Sequence, residues 1–275
     1  MNLKLNKDLI FRHEYFGGLI HSRHDGSKWE TSHEAIIALK AISLGLSLKD
    51  LPSAVKTVTE HTYVPENDIS LSLKNGILLE TVHRKKVSFS NVVHNLSVSY
   101  EDACSRTHLR APINLSIYPL MRCHLDCKFC YITDEKWATQ ERASSPWIDL
   151  LNEAKLMGIP FVSILGGEPS LYQGLLDLLL ELDRLEIKST ITTNGINMPI
   201  EAFNIICDSE WITPTISMQS LSEINLLLMG IDPRKSTDLI ERFHRRNKFC
   251  NLNTVYNIQN TDEIIDLLEF SEKWN

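Results

Sequence analysis

The amino-acid sequence predicts an α/β fold: a partial (β/α) barrel over residues 111–275, preceded by a small winged-helix-like α+β domain over residues 1–82. The first observation is that strand-like and helix-like segments alternate after residue 111, which is typical of a parallel sheet with crossover helices. The second is a hairpin signal followed by three short helix-like segments within the first 82 residues. We predict that residues 83–110, which include the charged run Arg84-Lys85-Lys86, form a linker between the two domains.

The N-terminal domain begins with a strand-like segment, Leu9–Arg23, and the Asp25-Gly26 pair that follows it favours a hairpin turn. Thr31 and Glu34 have the spacing of a capping box, so a helix is predicted from this point through Leu44. The rest of the domain is predicted as a helix at 48–60 capped by Ser47, a helix at 68–74 ended by Asn75-Gly76, and a strand at 77–80.

The C-terminal domain is predicted as five strands, each followed by helix. The strands are the short apolar or β-branched runs at 113–118, 161–165, 189–195, 211–220 and 250–257. The helices are predicted at 147–157, 172–185, 199–209, 222–229, 236–247 and from about 261 onward.

Charge and hydropathy each exclude one class of partner. Residues 1–110 contain 14 Lys and Arg against 12 Asp and Glu, a net charge of +2, and the remaining residues contain 14 against 23, a net charge of −9. Neither region is basic enough for a nucleic-acid surface. No apolar stretch reaches the length of a membrane span, and no signal-peptide core follows Met1. We therefore expect neither a nucleic-acid nor a membrane partner.

Three cysteines stand at one spacing, C-x3-C-x2-C, formed by Cys123, Cys127 and Cys130. Structural zinc sites and redox iron–sulfur clusters usually have four protein ligands, so three thiolates on one loop favour a four-iron cluster with one iron left open. A zinc knuckle with His124 as fourth ligand remains the alternative, although adjacent Cys123 and His124 point apart and no second ligand pair is present. The scattered cysteines are interpreted as packing residues: Cys104, Cys207 and Cys250.

A glycine-rich turn follows the second predicted strand. The apolar run Phe161–Leu165 leads into Gly166, Gly167, Glu168 and Pro169, at the strand end where an α/β barrel binds ligands. Glycine lets the backbone approach a ligand closely. A Gly-Gly-Glu-Pro sequence by itself is usually a simple turn, but its position about 35 residues after the cysteines and at a strand end favours a binding role.

Together with Phe129 and Tyr131, which flank Cys130, the cysteine spacing resembles the radical S-adenosylmethionine superfamily. The resemblance implies that the three cysteines hold a [4Fe–4S] cluster whose open iron binds the amino and carboxylate groups of S-adenosylmethionine. It also implies that cleavage of this cofactor gives a 5′-deoxyadenosyl radical that removes a hydrogen atom from the substrate. The segment 166–169 is similar to the family's GGEP motif, whose backbone and Glu meet the cofactor's amino group. We therefore expect Gly167→Val to block cofactor binding and leave the cluster intact.

The same resemblance assigns polar residues at two further strand ends to the nucleoside. These are Thr193 and Asn194 after the third strand, and Ser217 and Gln219 after the fourth. The family often has an acidic residue where Gln219 stands, and Asn257 is a weaker candidate on the fifth strand. An ordinary polar cap of a strand–helix loop is the alternative interpretation at each position.

The N-terminal domain resembles the small leader-recognition domains fused to radical peptide maturases. The resemblance rests on Tyr15–Ile20, the hairpin, the helix start at Glu34 and the segment Lys74–Leu79. Such domains bind the leader of a precursor peptide by adding it as a strand to a sheet edge. The alternatives are an accessory domain without separate function, or a DNA-binding winged helix whose recognition segment Ile69–Lys74 has only one basic residue.

The function predicted from the sequence is post-translational modification of a ribosomally made peptide, with an electron donor such as flavodoxin or ferredoxin. A cytoplasmic location follows, because cluster-binding thiolates need a reducing compartment. Radical enzymes of this type usually have six strand–helix units, so we expect a chain that is cut off near its fifth helix. The alternatives are a non-catalytic peptide-binding protein and a radical enzyme that acts on a small molecule.

Overall fold

The structure, a computed structural model, describes residues 3–23, 25–81, 87–132 and 141–274. The chain divides into two compact units, Met1–Pro112 and Ile113–Asn275. The charged run Arg84-Lys85-Lys86, which we predicted as part of the linker, lies outside the described residues.

The N-terminal unit is built from antiparallel strands and helices. Its strands are β1 (Leu3–Leu5), β2 (Leu9–Glu14), β3 (Gly17–Ser22), β4 (Lys28–Thr31) and β5 (Leu78–Glu80). Its helices are α1 (His33–Leu44), α2 (Leu51–Thr59), α3 (Pro65–Lys74) and α4 (Phe89–Cys104). Strands β2, β3 and β4 form one antiparallel sheet in that order, and β1 pairs with β5. Strand β4 is therefore an edge strand of its sheet.

The start of α1 differs from the predicted capping box. Ser32 is the N-cap, and its hydroxyl accepts a hydrogen bond from the Ala35 amide at 3.2 Å. Thr31 cannot fill this role because it is the last residue of β4, where it pairs with Gly18. The Glu34 carboxylate lies 2.5 Å from His61 Nδ1. The capping residue was thus placed one position too early.

Part of the segment that we predicted as a linker forms helix α4. Val92 and Leu96 of this helix are buried in the same core as Ile36 and Leu51. Val92, Leu96 and Tyr100 repeat at a spacing of four, which is a helical signal that the charged start of the segment obscured. The core of the N-terminal unit therefore extends beyond residue 82, and a fragment of residues 1–82 would lack part of it.

The C-terminal unit has the predicted parallel sheet. Its strands are β6 (Leu115–Ile117), β7 (Phe161–Ile164), β8 (Lys188–Thr193), β9 (Ile212–Ser217) and β10 (Asn251–Asn253). Its helices are α5 (Ser145–Leu156), α6 (Leu175–Arg184), α7 (Ile200–Asp208), α8 (Glu223–Met229), α9 (Pro233–His244) and α10 (Ile264–Lys273). Neighbouring strands pair in parallel in the order β10-β9-β8-β7-β6. This confirms the α/β fold with a partial barrel.

The two faces of this parallel sheet differ in chemistry. One face presents apolar residues such as Val162, Ile191 and Ile216, which pack in a core with helix residues such as Leu178 and Phe243. The other face presents half-buried Ser, Thr and Asn side chains, because side chains alternate along a strand. The helices thus cover the apolar face, and the polar face is the inner face of the partial barrel.

None of the helices within the described residues has both the length and the apolar composition required to cross a membrane.

Candidate functional site

A cleft of about 200 Å³ lies at the carboxyl ends of the parallel strands. It is lined by ten residues that the sequence analysis singled out: Cys123, Cys127, Phe129, Cys130, Gly166, Gly167, Glu168, Thr193, Asn194 and Ser217. Seven further lining residues are Leu125, Tyr131, Ile132, Leu165, Thr192, Met229 and Asn253. Segments far apart in the sequence therefore meet in one place, because parallel strands end at the same edge of a sheet.

The cysteine loop is held by its own backbone and by the end of α8. The Cys130 amide donates to the Cys127 carbonyl at 3.0 Å, which closes a turn. The Lys128 amide donates to the carbonyl of Leu228 at 2.9 Å, and the Cys127 thiol lies 3.8 Å from the Met229 carbonyl oxygen. The last carbonyls of a helix have no partner within it, and here they anchor the loop.

Burial favours the neutral form of two thiols of this loop, Cys123 and Cys127. Burial raises the pKa of Cys127 to about 11, and the neighbouring Cys123 and Cys130 act in the same direction. Burial also raises the pKa of Cys123, opposed by the Leu125 amide and reinforced by the Glu168 carboxylate. Three neighbouring thiolates therefore need a positively charged group to bind them, as in a metal or cluster site.

The described metal-binding side chains do not converge on a single point. Within the ranges that the structure describes, no three His, Cys, Asp or Glu side chains are close enough to share one metal ion. His124 therefore does not complete a zinc site here. A four-iron cluster needs no such convergence, because each thiolate binds a different iron.

Gly166 and Gly167 are required by backbone carbonyls of the same chain, whereas we expected them to be required by a bound ligand. Gly166 has φ +133°, and a Cβ there would overlap the Leu120 carbonyl oxygen. A Cβ at Gly167 would overlap the carbonyl oxygens of Met121 and Arg122, which lead into the cysteine loop. The Gly167 amide also donates to the Leu120 carbonyl at 2.9 Å. Our expectation that Gly167→Val would spare the cluster is therefore at odds with the structure.

Glu168 connects the ends of β7 and β8. Its side chain is only 1% exposed, and it accepts hydrogen bonds from the Thr193 hydroxyl at 2.6 Å, the Asn194 amide at 2.8 Å and the Ser170 amide at 3.0 Å. The structure thus gives both carboxylate oxygens of Glu168 protein partners. Pro169 starts a short 3₁₀ turn, Pro169–Leu171, and is buried outside the lining of the cleft.

Gln219 is another predicted residue that the structure does not bring to the cleft lining. It is 0% exposed, its Oε1 accepts from the Val255 amide at 2.7 Å, and its Nε2 donates to the Asn253 carbonyl at 3.4 Å. The loop after β9 turns Gln219 inward, so its carboxamide is used to hold the next strand–loop segment. The predicted contact with a ribose hydroxyl does not fit this placement.

The fifth strand contributes Asn253 in place of Asn257. Strand β10 ends at Asn253, whereas Asn257 lies in a turn where its Nδ2 donates to the Val255 carbonyl at 3.2 Å. The sequence run Cys250–Asn257 was treated as one strand, which placed the strand end four residues too late. The alternation of Asn251 and Asn253 on one face of the strand was the sequence signal that could have placed Asn253 at the site.

Sequence analysis also missed the ordered rows of polar side chains on the inner face of the sheet. Paired residues across neighbouring strands form three rows: Ser116, Ser163, Thr190 and Thr213; Thr192, Thr215 and Asn251; and Ser217 with Asn253. None of these side chains is charged. Two of the rows reach the cleft, because Thr192, Ser217 and Asn253 line it.

The N-terminal unit has a separate groove of about 140 Å³. Its walls are mostly apolar and come from β4, α1, α3 and the start of β5, and they include Trp29, Leu39, Ile42, Ile69, Leu71 and Ile77. Strand β4 forms one wall, and among the described strands it pairs with β3 on one side only.

Comparison with known proteins places the C-terminal unit in a family. The model of the Radical SAM superfamily matches residues 117–271. The sporulation killing factor maturation protein SkfB of Bacillus subtilis is 24% identical over 160 residues, which cover 58% of this chain and 39% of SkfB. A probable GTP 3′,8-cyclase of Archaeoglobus fulgidus is 25% identical over 175 residues, which cover 60% of this chain and 57% of that protein.

Solved structures of Streptococcus suis SuiB resemble the chain over both units. SuiB bound to S-adenosylmethionine gives a TM-score of 0.79 at 27% identity, and SuiB bound to its precursor peptide SuiA gives 0.81 at 28% identity. The matches cover 98% and 99% of this chain and 61% of SuiB in each case, so the chain spans less than two thirds of these relatives. Because the family model matches more than half of the chain and its cysteine loop and glycine turn meet in one cleft, the chain belongs to the radical SAM superfamily.

Proposed function

We propose that this chain is a radical S-adenosylmethionine enzyme that modifies a ribosomally made precursor peptide. The observation that carries the proposal is the cleft in which three thiols of one loop meet the Gly166-Gly167-Glu168 turn. Two relatives support a peptide substrate: SkfB is a maturation protein, and SuiB has been solved with a precursor peptide. The likeness to SuiB includes the N-terminal unit, which favours a peptide over a small molecule.

In this proposal Cys123, Cys127 and Cys130 would hold a [4Fe–4S] cluster, and the cleft beside them would hold S-adenosylmethionine. Together these groups would supply the radical chemistry that starts from reductive cleavage of the cofactor. The protein's own contribution is position. Gly166 and Gly167 hold the turn against the entrance to the cysteine loop.

The polar rows of the inner face are suited to a peptide backbone. Their hydroxyl and amide groups can donate and accept hydrogen bonds, and they continue from the cleft through Thr192, Ser217 and Asn253. A peptide segment lying on this face would meet the cofactor at the strand ends, where hydrogen abstraction takes place. Because the rows carry no charge, they do not select a substrate by ionic pairing.

The N-terminal groove supports leader recognition. A peptide strand added to the edge of β4 would form main-chain hydrogen bonds and place alternate side chains against the apolar wall of α3. Affinity would come from the backbone bonds together with the burial of apolar side chains. In this proposal the unit Met1–Pro112 binds the leader.

The proposed chemistry requires a reducing compartment, such as the cytoplasm, and a one-electron donor, such as flavodoxin or ferredoxin. Both requirements follow from the cluster and are part of the proposal.

The test is anaerobic reconstitution of the full chain with iron and sulfide, followed by reduction with dithionite in the presence of S-adenosylmethionine. We expect a brown protein that releases 5′-deoxyadenosine, and we expect a Cys127→Ala variant to release none. A wild-type chain that binds iron but leaves the cofactor intact would favour the non-catalytic peptide-binding alternative. Turnover that proceeds on a small molecule and never on a precursor peptide would overturn the substrate class.

A further inference from the structure

The turn after β8 contains an asparagine whose side chain faces a cluster-binding cysteine. Asn194 is 6% exposed, and its Nδ2 lies 3.9 Å from Cys123 Sγ. The family resemblance assigned this residue to the nucleoside, but its carboxamide is directed at the sulfur. The following contacts explain why.

The orientation of the carboxamide is determined by a second hydrogen bond. Asn194 Oδ1 accepts from the Ile196 amide at 3.0 Å, so the oxygen must point into its own turn. The nitrogen at the other end, which can only donate, then points to Cys123 Sγ. A flipped carboxamide would place its NH₂ group against the Ile196 N–H, which is also a donor.

The position of the turn is determined by the buried carboxylate of Glu168. Its Oε2 accepts from the Asn194 amide at 2.8 Å, and its Oε1 accepts from the Thr193 hydroxyl at 2.6 Å. The Thr193 hydroxyl in turn accepts from the Gly195 amide at 3.0 Å. Glu168 is therefore a positioning residue that holds Asn194 against the cysteine loop.

A hydrogen-bond donor at a ligand sulfur affects the cluster's reduction potential. Reduction adds a negative charge that spreads over the cluster and its thiolates, and a nearby N–H stabilises the reduced state more than the oxidised state. Cys123 Sγ also receives the Leu125 amide at 3.4 Å, and Cys130 Sγ receives the Ile132 amide at 3.4 Å. Among the hydrogen bonds of the described residues, Cys123 is the cysteine of this loop whose sulfur receives a hydrogen bond from another side chain.

We propose that Asn194 raises the reduction potential of the cluster by donating a hydrogen bond to the Cys123 thiolate, and that Glu168 positions it to do so. This inference rests on the proposed function, because it requires the cluster. It assigns Asn194 a contact with Cys123 in place of the contact with the nucleoside that the family resemblance implied. It also explains why the carboxylate of the glycine turn is used by β8 rather than left free to face the cleft.

The test is the midpoint potential of the reconstituted cluster in the full chain, measured by a redox titration that follows the electron paramagnetic resonance signal of the reduced state. Asn194→Asp keeps the oxygen that accepts from Ile196 and replaces the donor with a second oxygen. We expect its midpoint to shift to a more negative value, and we expect Asn194→Ala to shift it in the same direction by a smaller amount. The matched control is Asn204→Asp on α7, which lies outside the cleft lining and whose Oδ1 accepts from Arg246 at 3.2 Å. Its midpoint should equal that of the wild type.

Iron content separates the possible failures. A wild-type chain that binds no iron would overturn the proposed function, and this inference with it. Wild-type and Asn194 variants that bind equal iron and share one midpoint would overturn the inference alone. If Asn194→Asp binds less iron, the Asn194→Ala midpoint decides, and an unshifted value contradicts the proposal. A midpoint that moves to a less negative value in either variant would also contradict it.

Discussion

The groove of the N-terminal unit and the cleft of the C-terminal unit differ in the residues and the kind of strand that line them. Apolar side chains of α1 and α3, such as Leu39 and Ile69, line the groove beside an antiparallel edge strand. The cleft at the ends of the parallel strands adds thiols, glycine backbone and small polar side chains to apolar residues such as Phe129 and Leu165. The first arrangement suits binding by burial of apolar area, and the second suits the holding of charged or reactive groups.

The difference follows from where each site lies on its sheet. The groove lies beside the edge strand β4, so a partner peptide could extend the sheet there. A parallel sheet brings several strand ends to one edge, so polar residues distant in sequence meet there. The same chain therefore combines a surface that can recognise a peptide with a site that can carry out chemistry. Four predictions test this division of roles.

The largest expected effect is loss of the cluster from the cysteine loop. Alanine at Cys123, Cys127 or Cys130 removes one of three ligands and should abolish iron binding after reconstitution. Iron analysis and the charge-transfer absorbance of each variant provide the measurement.

The control for this prediction is the second set of cysteines. Cys207 and Cys250 pack against the core of the C-terminal unit, and burial raises the pKa of Cys250 to about 12. Alanine at Cys104, Cys207 or Cys250 should leave the iron content unchanged. Loss of iron from any of these three would show that the ligand set is misassigned.

The next effect is at the glycine turn. Gly167→Val would drive a side chain into the Met121 and Arg122 carbonyls, so we expect a loss of about 1–3 kcal/mol in the free energy of unfolding together with reduced iron. Chemical denaturation and iron analysis measure the two effects. Gly76→Asn is the matched change in the N-terminal unit, because Gly76 has φ +67° with open space around it and asparagine tolerates this conformation. Full iron in Gly167→Val with lost cofactor affinity would restore our original expectation.

An acid-sensitivity prediction concerns the N-terminal unit. Burial lowers the pKa of His13 to about 3 and that of His21 to about 4, with Lys40 acting on the first and Arg12 on the second. The unfolded chain binds protons near pH 6.5, so below that value it binds more protons than the folded chain. The stabilisation that comes from keeping each histidine neutral in the folded chain is therefore complete above pH 6.5. It decreases as the pH falls, by about 2 kcal/mol for each histidine at pH 5.

Thermal unfolding at pH 7 and pH 5 measures this effect. His21→Gln should show a smaller difference between the two pH values than the wild type. His94→Gln, at an exposed position of α4, should retain the full difference. Equal pH dependence of His21→Gln and wild type would assign the acid sensitivity to other groups.

The smallest expected effect is on leader binding. Leu71 lines the groove from α3 and is 57% exposed, so Leu71→Asp should fold normally and weaken leader binding about tenfold, or about 1.4 kcal/mol. The measurement is fluorescence anisotropy of a labelled leader peptide of a precursor that the full chain modifies, titrated with the full chain. Leu180→Asp on α6 is the matched control, because Leu180 is 54% exposed and lies outside both clefts. Equal losses in the two variants would contradict a specific role for the groove.

Local patterns were sufficient to predict much of the C-terminal unit. The spacing of Cys123, Cys127 and Cys130 places three thiols on one loop whatever surrounds it. The alternation of apolar strands and helices predicted the parallel sheet, whose strand order the structure then supplied. The family resemblance assigned Asn194 and Ser217 to a common site, and the topology of the sheet explains why these strand ends meet.

Other features depended on contacts between distant segments. Only the fold shows that Gly166 and Gly167 are needed by the Leu120–Arg122 backbone, since nothing local distinguishes that neighbour from a ligand. Gln219 turns inward because Val255 and Asn253 offer backbone partners 34 to 36 residues away. Helix α4 joins the N-terminal core because its apolar residues pack against α1 and α2. The charged run before the helix had led us to predict a linker there. The sequence by itself thus determined which thiols, hydroxyls and carboxamides are available and the sheet topology that brings them together. Tertiary packing decided which of these side chains face the cleft and which support it.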